Sequence, residues 1–311
     1  MLRYVIRRLL QGCVVIFLIS IATFGILHLT PGDPVYILIG ETGKTQLTPQ
    51  QIDQIRHYWG LDRPLYVQYL TWVGHMFRGN FGESVIQVGT PVNTIIARAA
   101  PVTFKLNVMA LLVATAIAIP AGILAGIKQY SFFDYFSTVG ATLGVSVPSF
   151  WIALMAIILF AAKLGWLPAY GTDTWKGYIL PVLVLSFEQM AIVARLMRST
   201  TVETLGHDFV RTARAKGLSE SVVLSRHVVR NSLLPVVTVI GYRIAFLLSG
   251  TIIVETIFAV PGIGRLFYNS VIHLDYQVVQ AIVFLLSVLV VLANLLTDLV
   301  YAYIDPRIRL H

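Results

Sequence analysis

Six long stretches of apolar residues, separated by polar and basic segments, dominate the chain. Each is long enough to cross a bilayer as a helix, which takes about 20 predominantly apolar residues. The stretches cover approximately 9–29, 102–127, 135–162, 180–197, 233–254 and 279–304. The short alternating segments of a membrane β-barrel do not occur in the sequence. Because helices and closed barrels are the structures that span lipid, the pattern predicts an all-α integral membrane protein with six transmembrane helices.

The composition agrees with lipid as the main solvent. Of the 311 residues, 57% are hydrophobic and 12% are charged, whereas a soluble domain carries about 25% charged residues. The net charge of +8 would suggest nucleic acid in a soluble protein. Here the basic residues cluster beside apolar stretches, which indicates membrane orientation. We therefore expect membrane lipid as a partner and no nucleic acid.

The basic residues also predict which side each segment faces. Arg3, Arg7 and Arg8 precede the first stretch, which lacks a small-residue cleavage site and reads as a retained anchor. With the N-terminus inside, the predicted cytoplasmic segments hold more than half of the 23 lysine and arginine residues. The positive-inside bias thus predicts cytoplasmic N- and C-termini.

The first external region, about 31–100, has two amphipathic segments. Thr48-Pro49 is typical of a helix N-cap followed by the first helical residue. Two apolar stripes follow, on either side of a break at 60–64. They consist of Ile52, Ile55 and Trp59, and of Leu65, Tyr69, Trp72, Val73 and Met76. We expect two short helices packed on the outer mouth, or an interfacial hairpin without a specific role.

The internal segment 205–235 predicts two helices separated by a turn. Asp208 is placed to cap a helix that runs through Lys216, and Gly217 is placed to end it in a left-handed conformation. Ser219 is placed to cap a second helix that begins near Glu220.

The spacing within the first of these helices predicts its faces. Phe209, Thr212, Ala213 and Lys216 share one face, which leaves the remaining basic residues, Arg211 and Arg214, elsewhere. An aromatic knob with small residues and fixed positive charge can insert into a groove on a partner protein. The residues alone equally allow a basic amphipathic helix on anionic lipid.

Several motifs in this order resemble one protein family over essentially the whole chain. Residues 212–218 (Thr-Ala-Arg-Ala-Lys-Gly-Leu) and 226–235 resemble the "EAA" loop of ABC importer permeases, in the peptide and nickel branch. Residues 31–34, 255–265 and 305–309 look like the same branch, and residues 60–65 also fit. The resemblance implies a type I ABC importer permease fold with a helical extracytoplasmic insertion between helices 1 and 2.

The resemblance also implies a division of the chain and a site. Residues 1–30 would form the cytoplasmic N-terminus and first helix, 31–100 the insertion, and 101–311 a five-helix core containing the coupling loop 199–235. In the family the short helix of this loop couples the permease to the ATPase. The implied coupling residues are Asp208, Phe209, Arg211, Thr212, Ala213, Arg214, Ala215, Lys216 and Gly217. Arg-Thr-Ala replaces the general Glu-Ala-Ala at 211–213, so the acidic residue of the general motif has no counterpart here.

As a member of this family, the chain would form half of a translocation pore in the bacterial cytoplasmic (inner) membrane. The implied partners are a homologous second permease, two ABC ATPase subunits that bind ATP and Mg, and an extracytoplasmic substrate-binding protein. Di- or oligopeptides are the expected cargo, and glutathione or nickel chelates are the alternatives. A self-sufficient secondary transporter is the rival class, but internal repeats and coupling carboxylates are not evident.

The chain carries no convincing enzymatic or cofactor motif. Gly43-Lys44-Thr45 resembles the end of a P-loop, but Leu38 stands where the earlier glycine belongs. No nucleophile–base arrangement is recognisable. His28, Tyr36 and His273 lack metal-ligand spacing. We therefore expect a transport subunit that is not an enzyme and that binds no metal or cofactor itself.

Some ionisable residues lie within or beside apolar stretches, where they should face protein or water. They are His28, Glu188, Arg243, Glu255 and Asp298. Glu188, Arg243 and Glu255 are candidates for the translocation path or for structural pairing, and Glu188 with Arg243 is the candidate pair. Gly122 and Gly126 form a small-residue face that suits close helix contact, and Pro148 can kink or start a helix. Gating hinges and ordinary membrane-helix composition both remain open for these positions.

Overall fold

The computed structural model describes residues 2–29, 35, 48–58, 60–87, 89–245 and 251–304. Within these ranges the chain is helical, apart from turns and one isolated β-bridge between Glu83 and Pro91. The predicted all-α class is therefore confirmed. The motifs at 31–34, 43–45 and 305–309 lie outside the described residues.

The described helices follow one another along the chain in a fixed order. They are α1 (Leu2–Leu29), α2 (Pro49–Tyr58), α3 (Leu65–Phe77), α4 (Val92–Ile127), α5 (Phe132–Ser146), α6 (Ser149–Ala156) continued by the π-helical Ile157–Lys163, the 3₁₀ turn Trp175–Tyr178, α7 (Ile179–Leu205), α8 (Asp208–Ala215), α9 (Glu220–Val222) continued by the π-helical Val223–Val229, α10 (Arg230–Ala245), α11 (Ile252–Ile257), α12 (Ile263–Ile272) and α13 (Tyr276–Ile304). By packing they form two compact units, residues 1–99 with 266–311, and residues 100–265. The three-part functional division 1–30, 31–100 and 101–311 stays a prediction.

In the first unit, α1 packs against α13. Gly12 allows the close approach, because a Cβ atom at this position would overlap the side chain of Val291. The other side of α1 exposes Leu10, Phe17 and Leu18. Large apolar side chains exposed on a helix of this length are typical of a surface that faces lipid.

The two predicted helices of the insertion are present as α2 and α3. The Thr48 N–H donates to Oε1 of Gln51 (2.8 Å), and the Gln51 N–H donates to Oγ1 of Thr48 (3.4 Å). This reciprocal capping box confirms the predicted start of the helix at Pro49. Ile52 is buried, while the side chains of Ile55 and Trp59 lie outside the described part of the chain.

The apolar stripe of α3 packs on α1. The hydroxyls of Tyr69 and Ser20 share a hydrogen bond of 2.7 Å, and the rings of Tyr69 and Trp72 lie 5.5 and 5.9 Å from the ring of Phe24. Leu65, predicted to belong to the same stripe, is 61% exposed instead. It is the first helical residue and therefore has no preceding turn to hold it against α1.

In the second unit, the predicted stretch 135–162 is not one straight helix. α5 ends at Ser146 and α6 starts at Ser149, with an angle of 105° between the two helical axes. Pro148 explains the break, because proline disfavours the helical conformation in the residue before it. Val147 is accordingly extended, with φ −87° and ψ 125°.

Gly122 and Gly126 bring α4 close to α7. A Cβ atom on Gly122 would lie 2.6 Å from Cβ of Met197, and one on Gly126 would lie 2.6 Å from Cβ of Thr201. The small-residue face therefore makes the predicted close helix contact.

Among the described residues, four helices are long and apolar enough to cross a membrane, within Ile6–Gly25, Val92–Ile127, Trp175–Leu205 and Tyr276–Leu295. The bent pair of α5 and α6 can supply a fifth span. The remaining predicted stretch, 233–254, contains α10 and the start of α11, and residues 246–250 between them lie outside the described part. The count of six spans stays a prediction.

Candidate functional site

The helix α8 lies where the sequence predicts the first short helix of the internal segment. His207, with extended φ −71° and ψ 147°, occupies the N-cap position, and its side chain makes no capping hydrogen bond. Asp208 is the first helical residue rather than the predicted cap. Its carboxylate still lies in the first turn, where negative charge interacts favourably with the helix dipole.

Gly217 ends this segment in the predicted left-handed conformation, with φ +79°. Its N–H donates to the Arg214 carbonyl (3.0 Å), and the Leu218 N–H donates to the Ala213 carbonyl (3.4 Å). Among the described residues, no atom lies within 4 Å of a Cβ built on Gly217. Glycine is therefore favoured by backbone conformation and not by crowding.

One side of α8 is anchored inside the protein. Val210 and Ala213 are buried together with Val223 and Val228 of the π-helical turn. The predicted face needs a correction here, because Ala213 belongs to this buried side and not to an outward face with Phe209. Val210, three residues before Ala213, is the anchoring residue that the sequence reading missed.

The outward side of α8 carries the aromatic and basic groups. Phe209 is 42% exposed, and its ring stacks on His207 with centroids 5.5 Å apart and an interplanar angle of 17°. Thr212 and Lys216 are exposed, and the Arg211 side chain is 77% exposed. This surface combines a supported aromatic ring with positive charge. We call the set His207, Phe209, Arg211, Thr212 and Lys216 the outward face.

Arg214 has a different role from the other basic residues of the segment. Its Nη2 and Nε atoms donate to the two carboxylate oxygens of Glu220, at 2.7 and 3.1 Å. The pair connects the last turn of α8 to the start of α9 across the Gly217 turn. The Arg214 guanidinium lowers the pKa of the Glu220 carboxyl below its ordinary value, and Glu220 raises the pKa of Arg214.

Buried hydroxyls join the segment to the long helix before it. Thr200 of α7 donates to the Ser232 carbonyl (2.9 Å), and the Ser232 hydroxyl lies 3.0 Å from the hydroxyl of Thr204. Ser232 is in α10, where the chain leaves the segment. These hydrogen bonds therefore connect the end of the segment to α7.

The three charges singled out from the sequence have different surroundings. Glu188 on α7 is exposed and Arg243 on α10 is half-buried. Among the described residues no ion pair joins these two side chains. Glu255 is completely buried, so its environment has to satisfy a carboxylate away from water.

Three groups donate hydrogen bonds to the Glu255 carboxylate, and a fourth donates to one of these three. Oε1 of Glu255 accepts hydrogen bonds from the hydroxyls of Thr103 and Thr251, both at 2.7 Å. Oε2 accepts from the backbone N–H of Arg265 at 3.0 Å, and the Thr103 hydroxyl accepts from the Ile263 N–H at 2.8 Å. Because Ile263 and Arg265 lie in the first turn of α12, the carboxylate satisfies free amides at a helix N-terminus.

The glycines of the same motif make room for this arrangement. A Cβ atom on Gly262 would overlap the Glu255 carboxylate, and one on Gly264 would lie 2.7 Å from Cα of Ile252. The Arg265 side chain points elsewhere, to the Ala259 carbonyl at 2.6 Å. The geometry therefore identifies a structural position for Glu255, while pore-lining roles of Glu188 and Arg243 stay predictions.

No group of three or more His, Cys, Asp or Glu side chains among the described residues is arranged to hold a metal ion.

Comparison with known proteins agrees with this arrangement. Residues 118–310 match the family described as "Binding-protein-dependent transport system inner membrane component", and residues 1–106 match its N-terminal membrane component. The chain is 38% identical to the oligopeptide transport system permease protein AppB of Bacillus subtilis, over 99% of this chain and 100% of that protein. It is 39% identical to the glutathione transport system permease protein GsiC of Escherichia coli, over 99% of both.

A solved structure shares the fold. The crystal structure of an amino acid ABC transporter with histidines covers 69% of this chain and 94% of its own, with a TM-score of 0.53 and 12% identity. The expectation of a transport subunit that is not an enzyme is confirmed by the family match. The matched regions take in both ends of the chain and the segment around α8, and so this protein belongs to the inner membrane components of binding-protein-dependent transport systems.

Proposed function

We propose that the chain is one of two pore-forming permease subunits of an ATP-driven importer that carries di- or oligopeptides across the bacterial inner membrane. A homologous second permease completes the pore, and an extracytoplasmic binding protein delivers the peptide. Two separate ATPase subunits bind ATP and Mg. The chain spans the membrane six times, with both termini in the cytoplasm.

The choice of cargo rests on the relatives. The oligopeptide permease aligns with the chain end to end and supports peptides. The glutathione permease aligns over the same length and supports glutathione, itself a tripeptide, as the second candidate. The family's dependence on binding proteins favours this reading over a self-sufficient secondary transporter.

The outward face of α8 is the observation that carries the coupling role. Val210 and Ala213 hold one side of the helix, which leaves Phe209 and Arg211 projecting from a supported base. A helix that presents an aromatic anchor and positive charge suits a groove on a partner protein. Exposed aromatic and arginine side chains commonly supply the binding energy of such interfaces.

The internal connections of the segment suit a rigid lever. When ATP closes the ATPase pair, α8 moves with the groove that holds it. The buried valines and the hydrogen bonds between Thr200 and Ser232 pass this movement to α7 and α10. The spans then switch the pore between inward-open and outward-open states by rigid movement.

The test is Phe209→Ala in the assembled transporter. Removal of the aromatic anchor should weaken binding of the ATPase subunits by about 2 kcal/mol or more, measured as their retention on the immobilised permease. Tyr66→Ala is the control, since Tyr66 is an exposed aromatic on α3, a helix that is not part of this segment. Unchanged retention together with unchanged ATP-driven peptide uptake would exclude α8 as the coupling element.

Arg211→Glu separates a protein partner from a lipid partner. Arg211 is the better choice than Arg214, because its contact with Asp208 is looser, at 3.7 Å, than the two hydrogen bonds from Arg214 to Glu220. If α8 binds an ATPase subunit, the reversed charge should abolish peptide uptake in vesicles with or without anionic lipid. A defect confined to vesicles that contain anionic lipid would instead mean that the helix rests on the membrane surface.

A further inference from the structure

An apolar groove of about 470 Å³ lies between α4, α5 and α7 of the second unit. This volume falls within the range of about 300–1,000 Å³ typical of small-molecule pockets. Ile117, Ala121 and Leu124 of α4 form one wall, and Phe187 and Met190 of α7 form the floor. The side chains that line the groove are therefore apolar, apart from the hydroxyl of Ser137.

The third wall, from α5, is open. Phe132 is 77% exposed and Phe136 is 71% exposed, although both line the groove. Gly140 also lines it, and no described atom lies within 4 Å of a Cβ built there. α4 and α7 are apolar enough to span a membrane, and α5 can form a further span together with α6. In a membrane, this opening would therefore face lipid hydrocarbon.

A positive charge marks one end of the groove. Lys128, in the turn between α4 and α5, is exposed, and its ammonium lies 5.9 Å from the ring centroid of Phe133, a lining residue. The nearby Asp134 carboxylate is occupied by Arg198 and by the N–H of Tyr130. Within the described part of the chain, no carboxylate lies within ion-pair distance of Lys128.

We propose that this groove is a binding site for an anionic phospholipid, with one acyl chain along α5 and the phosphate at Lys128. A basic residue at the end of an apolar surface attracts anionic headgroups. Tyr130, exposed in the same turn, is typical of the boundary between hydrocarbon and headgroups. The proposal requires the helices to lie in a membrane and is independent of the coupling role of α8.

A photoactivatable lipid tests the site in the complete transporter. Nanodiscs would contain phosphatidylglycerol and phosphatidylcholine, with a trace of phosphatidylglycerol that carries a diazirine in its acyl chain. Mass spectrometry of the labelled peptides should show labelling of 117–124 and 132–141 well above that of the exposed side of α1. Labelling of the groove no stronger than that of α1 would overturn the proposal.

Gly140→Leu tests whether the groove itself holds the chain. The new side chain has room to enter the groove and should remove most of the labelling of 132–141. Gly25→Leu is the matched control, because Gly25 is also a helical glycine with no described atom within 4 Å of an added Cβ. Full labelling in Gly140→Leu would overturn the site.

Lys128→Gln tests the headgroup without changing the groove. The preference for the phosphatidylglycerol probe over the matching phosphatidylcholine probe should fall about fivefold, as expected for one basic residue at an anionic surface. Lys128→Arg should keep the preference. Equal labelling by the two probes in the unaltered protein would overturn the anionic headgroup.

Discussion

At the scale of single residues, Gly217 determines how α8 ends. Gly217→Val places a β-branched residue at φ +79°, where L residues are disfavoured by about 1–2 kcal/mol. The last turn of α8 should fray as a result. Hydrogen exchange of amides 213–218 in the assembled transporter should accelerate correspondingly.

Gly241→Ala is the control for Gly217→Val, because Gly241 lies within α10 and an added Cβ meets no described atom within 4 Å. This variant should leave the exchange of 213–218 unchanged. Equal protection in Gly217→Val and the unaltered protein would contradict the left-handed turn.

Glu255 is the second residue with a specific structural demand. Glu255→Gln turns one acceptor oxygen into a donor, which opposes either the threonine hydroxyls or the Arg265 N–H. An unsatisfied buried group costs about 1–3 kcal/mol, so the thermal unfolding midpoint of the purified transporter should fall. Glu188→Gln is the control, because Glu188 is exposed, and it should change stability by no more than about 0.5 kcal/mol. Equal destabilisation by Glu255→Gln and Glu188→Gln would refute the hydrogen-bond network around Glu255.

At the scale of elements, the Arg214–Glu220 pair holds the corner between α8 and α9. Arg214→Glu should expose this corner to faster hydrogen exchange by placing two carboxylates together. The double change Arg214→Glu with Glu220→Arg should restore protection, because the pair is re-formed with its charges exchanged. Failure of the double change to recover would mean that the pair does not hold the corner.

The same pair predicts a pH dependence. Arg214 lowers the pKa of the Glu220 carboxyl below its ordinary value of 4.5, so the pair contributes fully above that value. Its contribution is lost as the pH falls through the lowered pKa of the folded state. Protection of amides 213–220, corrected for intrinsic exchange, should therefore be constant from pH 7 to about 5 and decline in more acidic solution, with no such decline in Arg214→Gln.

Structural elements were predictable where the residues that determine them are neighbours in the sequence. Thr48-Pro49 and Gly217 act through neighbouring residues, and both helix ends are found where the sequence places them. The side of α8 that is buried depends on Val223 and Val228, which the spacing within α8 does not contain. Pro148 indicated the bend before α6. Because the apolar stretch continues through Pro148, the sequence was nevertheless interpreted as one helix.

Contacts distant in sequence were the least predictable. Thr103 and Glu255 are 152 residues apart, and nothing in either local pattern points to the other. The sequence suggests a functional charge for a glutamate in this position. The fold instead supplies it with donors from α4, from the N-cap residue of its own helix α11 and from the N-terminus of α12. Similarly, Gly122 and Gly126 indicated a close contact without indicating its partner, α7.

At the scale of the whole molecule, the orientation is the central prediction. A reporter enzyme that is active only outside the cytoplasm should be active when fused after Lys44 and inactive when fused after Gly217. The reason is the excess of lysine and arginine in the segments assigned to the cytoplasm. The reverse pattern would place α8 outside the cytoplasm, where ATPase subunits cannot reach it. It would therefore refute both the predicted topology and the coupling role.

The Glu255 network also bears on how the chain is made. Synthesis delivers Thr103 first, then Thr251 and Glu255, and finally the amide of Arg265. Until that last donor has left the ribosome, the carboxylate lacks a partner for one of its oxygens and is best solvated by water. The segment around Glu255 can thus settle into its buried position only after α12 has begun to form. A nascent chain that stops before α12 therefore keeps a carboxylate that lacks one of its hydrogen-bond donors, and burial of this group is unfavourable until the chain is longer.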